Sequence, residues 1–213
     1  IQDVKLQGGG YKFPIKNTKF IKAEVPNFYI KDICPIQIKE INLFTSKGGG
    51  GKSFSLLLLL AKLQERGLKC FGWFSEDSTG GTTNRLQILK NTNKDLKDIH
   101  IDILGKDFRL QNFIKIDKNG NYEISDFFFE FVKNMRNYDV ILLDPLVSLI
   151  CKDENSNIEA RFLFNLLNAW IEKENKTLLL IHHDGKGDKN SSSRGASAII
   201  DAVRMHYSLE TVQ

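Results

Sequence analysis

The sequence predicts an α/β fold, a mostly parallel sheet with helices on both faces, and three observations predict it. Short, largely apolar segments, 69–74, 140–143 and 177–181 among them, alternate with segments whose apolar residues recur at helical spacing. A strand with no polar side is buried on both faces, the condition of a parallel strand covered by crossover helices. A glycine run at 48–51 lies between a predicted strand and a predicted helix. The chain has 213 residues, 41% apolar and 26% charged, enough for one domain with a substantial core.

Each element follows from local chemistry. Residues 1–39 are lysine-rich and interrupted by Pro14, Pro26 and Pro35, so they read as a lead-in of short strands and loops. A strand at 41–45 enters the glycine run, and a helix at 54–63 leaves it, ending near Gly67, a residue suited to a helix C-terminus. The leucine run 56–60 within that helix is far too short to span a bilayer, and Lys62 closes it, so no membrane partner is expected. A strand at 69–74, a helix at 82–90 and a strand at 99–104 come next. Segments 113–117 and 122–125 flank Asn119-Gly120, a hairpin signal, which makes 99–125 a candidate insertion in a single domain spanning 1–213. A helix at 127–135 places Phe128, Phe131, Val132 and Met135 on one face. The strand 140–143 stops at Asp144. The helix 158–171 carries a stripe at Ile158, Phe162, Leu166 and Trp170. The strand 177–181 runs into His182-His183, a helical turn is expected within 196–203, and a last strand at 205–209.

Charge and cysteine usage narrow the setting. The net charge is +4, which permits a nucleic-acid partner without requiring one. Three cysteines (Cys34, Cys70, Cys151) at unrelated spacings suggest neither a disulfide framework nor a zinc site, and a reducing cytoplasm fits best.

The richest segment reads Ser46-Lys47-Gly48-Gly49-Gly50-Gly51-Lys52-Ser53, followed by Phe54. A bound phosphate chain needs converging backbone N–H groups, and glycines remove the side chains that would obstruct them. The helix behind the run offers its positive end. Lys52 is then placed to reach the β- and γ-phosphates and Ser53 to help hold Mg²⁺. The usual pattern opens on a glycine, and Ser46 stands in its place. The implied ligands are ATP and Mg²⁺.

Other candidates sit at strand ends, where a parallel sheet gathers polar groups into one crevice. Asp144 closes its strand as a second Mg²⁺ ligand. Glu76 follows the strand at 69–74 and is placed to orient and deprotonate a water, with Asp77 competing for that role. His182 or His183 could contact the γ-phosphate, whereas His100 and His206 have no such context. Arg194 and Arg204 lie beyond the histidines, and spacing alone does not say which serves a phosphate. Lys186 and Lys189 stand in a polar loop, 184–193, with acids that offset them.

Taken together these segments resemble the RecA-like ATPases and, within them, the plasmid RepA-type hexameric replicative helicases. The resemblance runs over about 27–209. It rests on Gly48-Gly49-Gly50-Gly51-Lys52-Ser53, on Glu76-Asp77 with Arg85 and Leu86, and on Asp144-Pro145-Leu146 with Asp153-Glu154-Asn155. His182-His183 with Lys186, and Ser193-Arg194-Gly195-Ala196-Ser197 leading to Val203-Arg204, complete it. It implies a RecA-like P-loop core and a homo-hexameric ring that hydrolyses ATP at its interfaces with single-stranded DNA in the central channel. It implies action in replication of a plasmid, phage or mobile element. Glu76 matches the family's catalytic carboxylate, and Arg204 its arginine finger, donated to the neighbouring subunit. Lys186, Lys189 and Arg194 become DNA-contact candidates. Chains of that family usually continue beyond the last strand expected here.

A second resemblance competes. Lys47-Gly48-Gly49-Gly50-Gly51-Lys52-Ser53 is similar to the deviant phosphate loop of the partition and cell-division ATPases of the ParA/MinD type, whose early lysine reaches the partner's nucleotide across a dimer interface. That family carries an Asp-rich strand end where Ser75-Glu76-Asp77 stands and has no His-His followed by Arg-Gly-Ala-Ser. The motor is therefore the leading expectation, and a dimeric ATP switch is the alternative.

Overall fold

The computed structural model describes residues 25–31, 34–46, 51–109, 111–150, 156–183 and 199–210. Its centre is a six-stranded, all-parallel sheet. In chain order the strands are β3 (Ile41–Ser46), β4 (Cys70–Phe74), β5 (Asp102–Gly105), β8 (Val140–Asp144), β9 (Thr177–His183) and β10 (Met205–Ser208), arranged β10-β3-β9-β8-β4-β5. Two small antiparallel pairs lie outside it. One is β1 (Phe28–Tyr29) with β2 (Ile36–Gln37), and the other is β6 (Ile114–Ile116) with β7 (Tyr122–Ile124). This is the mostly parallel sheet that the alternation of segments implied.

Helices cover both faces. The helices α1 (Lys52–Glu65) and α2 (Thr79–Thr92) share an apolar cluster with Phe44, Val140, Leu142, Leu179 and Ile181. The helices α3 (Asp126–Asn134) and α4 (Asn157–Glu174) pack with Leu43, Ile141, Leu143, Leu178 and Leu180. Consecutive residues of one strand thus feed opposite layers, which is why β8 and β9 read as unbroken apolar runs. Leu142, Leu143, Leu179 and Leu180 are all fully buried, each contributing about 1.5–3 kcal/mol of transfer free energy.

Local signals set the element ends. Gly67 takes a φ of 86° and its N–H donates to the Gln64 carbonyl, terminating α1 where a side chain would be strained. Ser78, Ser125 and Ser156 each accept a backbone N–H as N-caps of α2, α3 and α4. The turn between β6 and β7 is organised by Asp117, whose carboxylate accepts from the N–H groups of Asn119 and Asn121, with Gly120 at φ 87°.

Some expectations shift. The strand expected from residue 99 starts at Asp102, and α2 begins three residues before residue 82. The stripe on α4 is rotated from the expected one. Ile158 is 69% exposed and Phe162 and Leu166 are half-buried, while Ala160, Leu163, Phe164, Leu167, Trp170 and Ile171 face the core. Both sets have helical spacing, and only the position of the sheet selects between them. The helical turn expected within 196–203 is described at Ile199–Asp201. Among the described residues, no helix is long and apolar enough to cross a membrane.

Candidate nucleotide site

The carboxyl ends of β3, β4, β8 and β9 bring the expected side chains together. At the end of β3, Ser46 meets the first residue of α1. Lys52 Nζ donates to the Ser46 carbonyl at 2.8 Å and to Ser46 Oγ at 2.9 Å, with Lys52 only 4% exposed. Gly51 precedes it at φ 72°, the left-handed geometry that turns the chain from loop into helix. Lys47, Gly48, Gly49 and Gly50 lie outside the described residues. Phe54, counted with the loop from the sequence, sits in the first turn of α1 and is exposed at its surface.

One turn of helix links this corner to β8. Ser53 Oγ donates to Asp144 Oδ2 at 2.6 Å. The Asp144 backbone carbonyl accepts from the Ser75 N–H at 2.8 Å and from Ser75 Oγ at 2.9 Å, which ties the end of β4 to the end of β8. Ser75 was not singled out from the sequence, because a serine after a strand carries no distinctive signal. Burial pushes the Asp144 carboxyl up to about 6. The Ser53 hydrogen bond acts against this, Glu76 raises it further, His183 lowers it and Asp77 raises it.

Glu76 and Asp77 occupy the turn after β4, and the structure gives them different surroundings. Both carboxylate oxygens of Asp77 are engaged by the Arg85 guanidinium of α2. Glu76 is exposed, with its Oε1 3.6 Å from His183 Nε2. The turn itself is clamped from β5. The Gly105 N–H donates to Thr79 Oγ1 at 3.0 Å, the Lys106 N–H to the Asp77 carbonyl at 2.7 Å, and the Thr79 N–H to Asp107 Oδ2 at 2.7 Å. These contacts were not legible beforehand, since they join segments well separated in the chain through a close backbone approach. A Cβ at Gly105 would lie 2.3 Å from the Thr79 nitrogen.

The two histidines separate. His183 pairs in register with Ser46 and stands beside Glu76; His182, one residue earlier, is 6% exposed and its side chain falls on the other face of β9. Arg204 lies elsewhere. The register Met205↔Asn42 sets it level with Ile41, at the amino ends of the strands, where its Nη1 is 3.5 Å from Glu40 Oε1. The length of β3 separates that level from Ser46, about 16 Å. Lys186, Lys189, Arg194 and the segment Asp153-Glu154-Asn155 lie outside the described residues.

The donor set fits a hydrated divalent cation. Asp144 Oδ1 is buried with no hydrogen-bond partner among the described residues, next to the Ser53 hydroxyl. Hard oxygen donors of this kind suit Mg²⁺, which keeps most of its shell as water and phosphate oxygens. Among the described residues, no group of three or more His, Cys, Asp or Glu side chains could hold a metal, so a dedicated protein cage is not what these residues build.

A glycine-flanked lysine and serine at a helix start, facing a strand-end aspartate across a parallel sheet, define a P-loop ATPase of RecA-like fold. The chain belongs to the AAA domain family, whose model matches residues 13–189. No curated protein matches it in sequence. Among solved structures it is similar to an ATPase domain, with a TM-score of 0.59 and 11% identity over 81% of this chain and 70% of that one. It is also similar to the flagellar accessory protein FlaH from Methanocaldococcus jannaschii, with a TM-score of 0.54 and 13% identity over 84% and 75% of the two chains. At these identities the likeness is one of fold.

Proposed function

We propose that this chain is an ATP-hydrolysing DNA motor of the hexameric RepA-like class, working in the replication of a plasmid, phage or mobile element. The observation that carries the reading is the approach of an exposed Glu76 to within 3.6 Å of His183, near the Ser53–Asp144 contact, while the rival acid Asp77 is held by Arg85.

In this reading Gly48 to Gly51 cradle the phosphates, and Lys52 exchanges its Ser46 acceptors for β- and γ-phosphate oxygens. Ser53 and Asp144 would hold Mg²⁺, which would neutralise charge on the phosphates. Glu76 accepts the proton of a water aligned with the γ-phosphate and so raises its nucleophilicity. His183 is placed to respond to the γ-phosphate through Glu76. Arg204, too far along the sheet to serve its own protomer, completes a neighbour's site in this reading, and its exposed side chain, 3.5 Å from Glu40, is free to reach outward. The likeness to an ATPase domain supports the motor core, and the lysines and arginine at 186, 189 and 194 supply the candidates for single-stranded DNA.

The decisive experiment is Glu76→Gln. The variant is expected to bind ATP normally and to lose turnover by about 10²–10⁴-fold. Unchanged hydrolysis removes Glu76 from the mechanism. Light scattering with ATP and Mg²⁺ tests the assembly: a hexamer supports the motor, whereas a dimer that Lys47→Ala abolishes supports the switch.

A further inference from the structure

A hollow of about 610 Å³ opens where β5 forms the edge of the sheet. Its walls are aromatic: Phe71, Trp73, Phe108, Phe127, Phe131 and Tyr138. Two carboxylates, Asp102 and Glu130, stand among the lining residues, and no lysine or arginine does. The Tyr138 hydroxyl donates to Asp102 Oδ2 at 2.9 Å, which orients that carboxylate. Glu130 lies 3.8 Å from Lys133 on its own helix, an exposed pair that holds it weakly. Phe108 packs 5.6 Å from the Trp73 ring, yet is 53% exposed. Phe127 and Tyr138 are partly exposed beside it, while Phe71, Trp73 and Phe131 are buried behind them, so two carboxylates border a part-exposed aromatic surface, the chemistry that recognises a cation with an apolar stem.

The hollow is also wired to the nucleotide site. Trp73 Nε1 donates to the Phe108 carbonyl at 3.2 Å, and the Phe108 N–H to the Gly105 carbonyl at 3.1 Å. Residues 105–107 of that short stretch hold Asp77 and Thr79, in the turn that carries Glu76. Trp73 itself stands three residues before Glu76.

We propose that this hollow is a docking site for a segment of a partner protein in which a lysine or arginine stands beside an aromatic or aliphatic residue, and that occupation shifts the turn bearing Glu76. The cation sits between Asp102 and Glu130 over the part-exposed Tyr138 ring, and the apolar neighbour packs against Phe108 and Phe127. The volume has room for two or three side chains. The coupling half rests on the role proposed for Glu76, whereas the docking half does not.

The chain has two tryptophans, so Trp170→Phe leaves Trp73 as a reporter inside the hollow. Titration with acetyl-Phe-Arg-Leu-amide is expected to give a saturable change in Trp73 emission, at least about tenfold weaker for acetyl-Phe-Glu-Leu-amide. Phe108→Ala, at an exposed position, should remove the signal, and Asp102→Asn with Glu130→Gln should erase the discrimination between the two peptides. Calorimetric titration of the unsubstituted chain gives the same answer if Trp170→Phe fails to fold. A flat titration at millimolar peptide, or equal binding of the two peptides, overturns the docking site. Binding that leaves ATP turnover unchanged overturns the coupling. The titrations need no nucleotide, so loss of the ATPase reading would not disturb them.

Discussion

Asp144→Asn should make the nucleotide-free protein more stable while destroying its response to Mg²⁺ and ATP. The carboxyl titrates at about 6 in the folded chain against an ordinary value of 3.8, chiefly because it is buried. At about 1.36 kcal/mol per tenfold, ionised Asp144 therefore costs the fold about 3 kcal/mol at neutral pH. Asparagine keeps an acceptor for Ser53 without the charge, so about 1–3 kcal/mol should be recovered, or about 3–10 °C in Tm for a chain of this size. The sign fixes the pH window. Below about pH 4 the carboxyl is protonated in both states and the two proteins should melt together. As pH rises from 3.8 to about 6 the unfolded chain has released its proton and the folded chain retains it, so the parent loses stability and the gap widens. Above about 6 the gap is constant. Circular-dichroism melts from about pH 4 to about pH 8 without nucleotide measure it. MgATP should raise the Tm of the parent and not of the variant. A variant less stable at neutral pH, or a gap that does not change with pH, refutes burial as the cause.

Three further outcomes are expected. Lys52→Ala should weaken ATP binding about a hundredfold by calorimetry, with the fold intact, because the ammonium that now donates to Ser46 is the charge-assisted partner the phosphates lose. Gly105→Ala forces a Cβ to within 2.6 Å of three backbone atoms of residues 77–79; a loss of about 2–4 kcal/mol in urea unfolding and a fall in turnover should accompany it, and a neutral effect would show that the clamp on the Glu76 turn is slack. Burial pushes the Cys70 thiol up to about 12, so in mildly alkaline buffer iodoacetamide should label it about a thousandfold more slowly than in the urea-unfolded chain, as read by peptide mapping.

Much of this molecule is written locally. The glycine run followed by Lys52 and Ser53 depends mainly on neighbours in sequence, so a helix start directly after the run was legible. The strands β8 and β9 declared their burial on both faces because an unbroken apolar run has nowhere else to go. The position of Asp144, at the end of such a run, was legible for the same reason. Choices between adjacent residues were not legible. Glu76 and Asp77 differ only because Arg85 is presented by α2 to one of them, and His183 differs from His182 only by the pleat of β9. On α4 two stripes of equal spacing were available, and the sheet chose. The Gly105 clamp and the aromatic hollow join segments far apart in the chain, where a sequence records no distance.

Local periodicity and loop chemistry thus pointed to a P-loop nucleotide site and to how the strands are layered, since hydrogen bonding and burial act within a few residues. Which acid is held by Arg85, which histidine stands beside Glu76 and which face of α4 is buried were left to tertiary packing, because those depend on partners that only folding brings within a few ångströms.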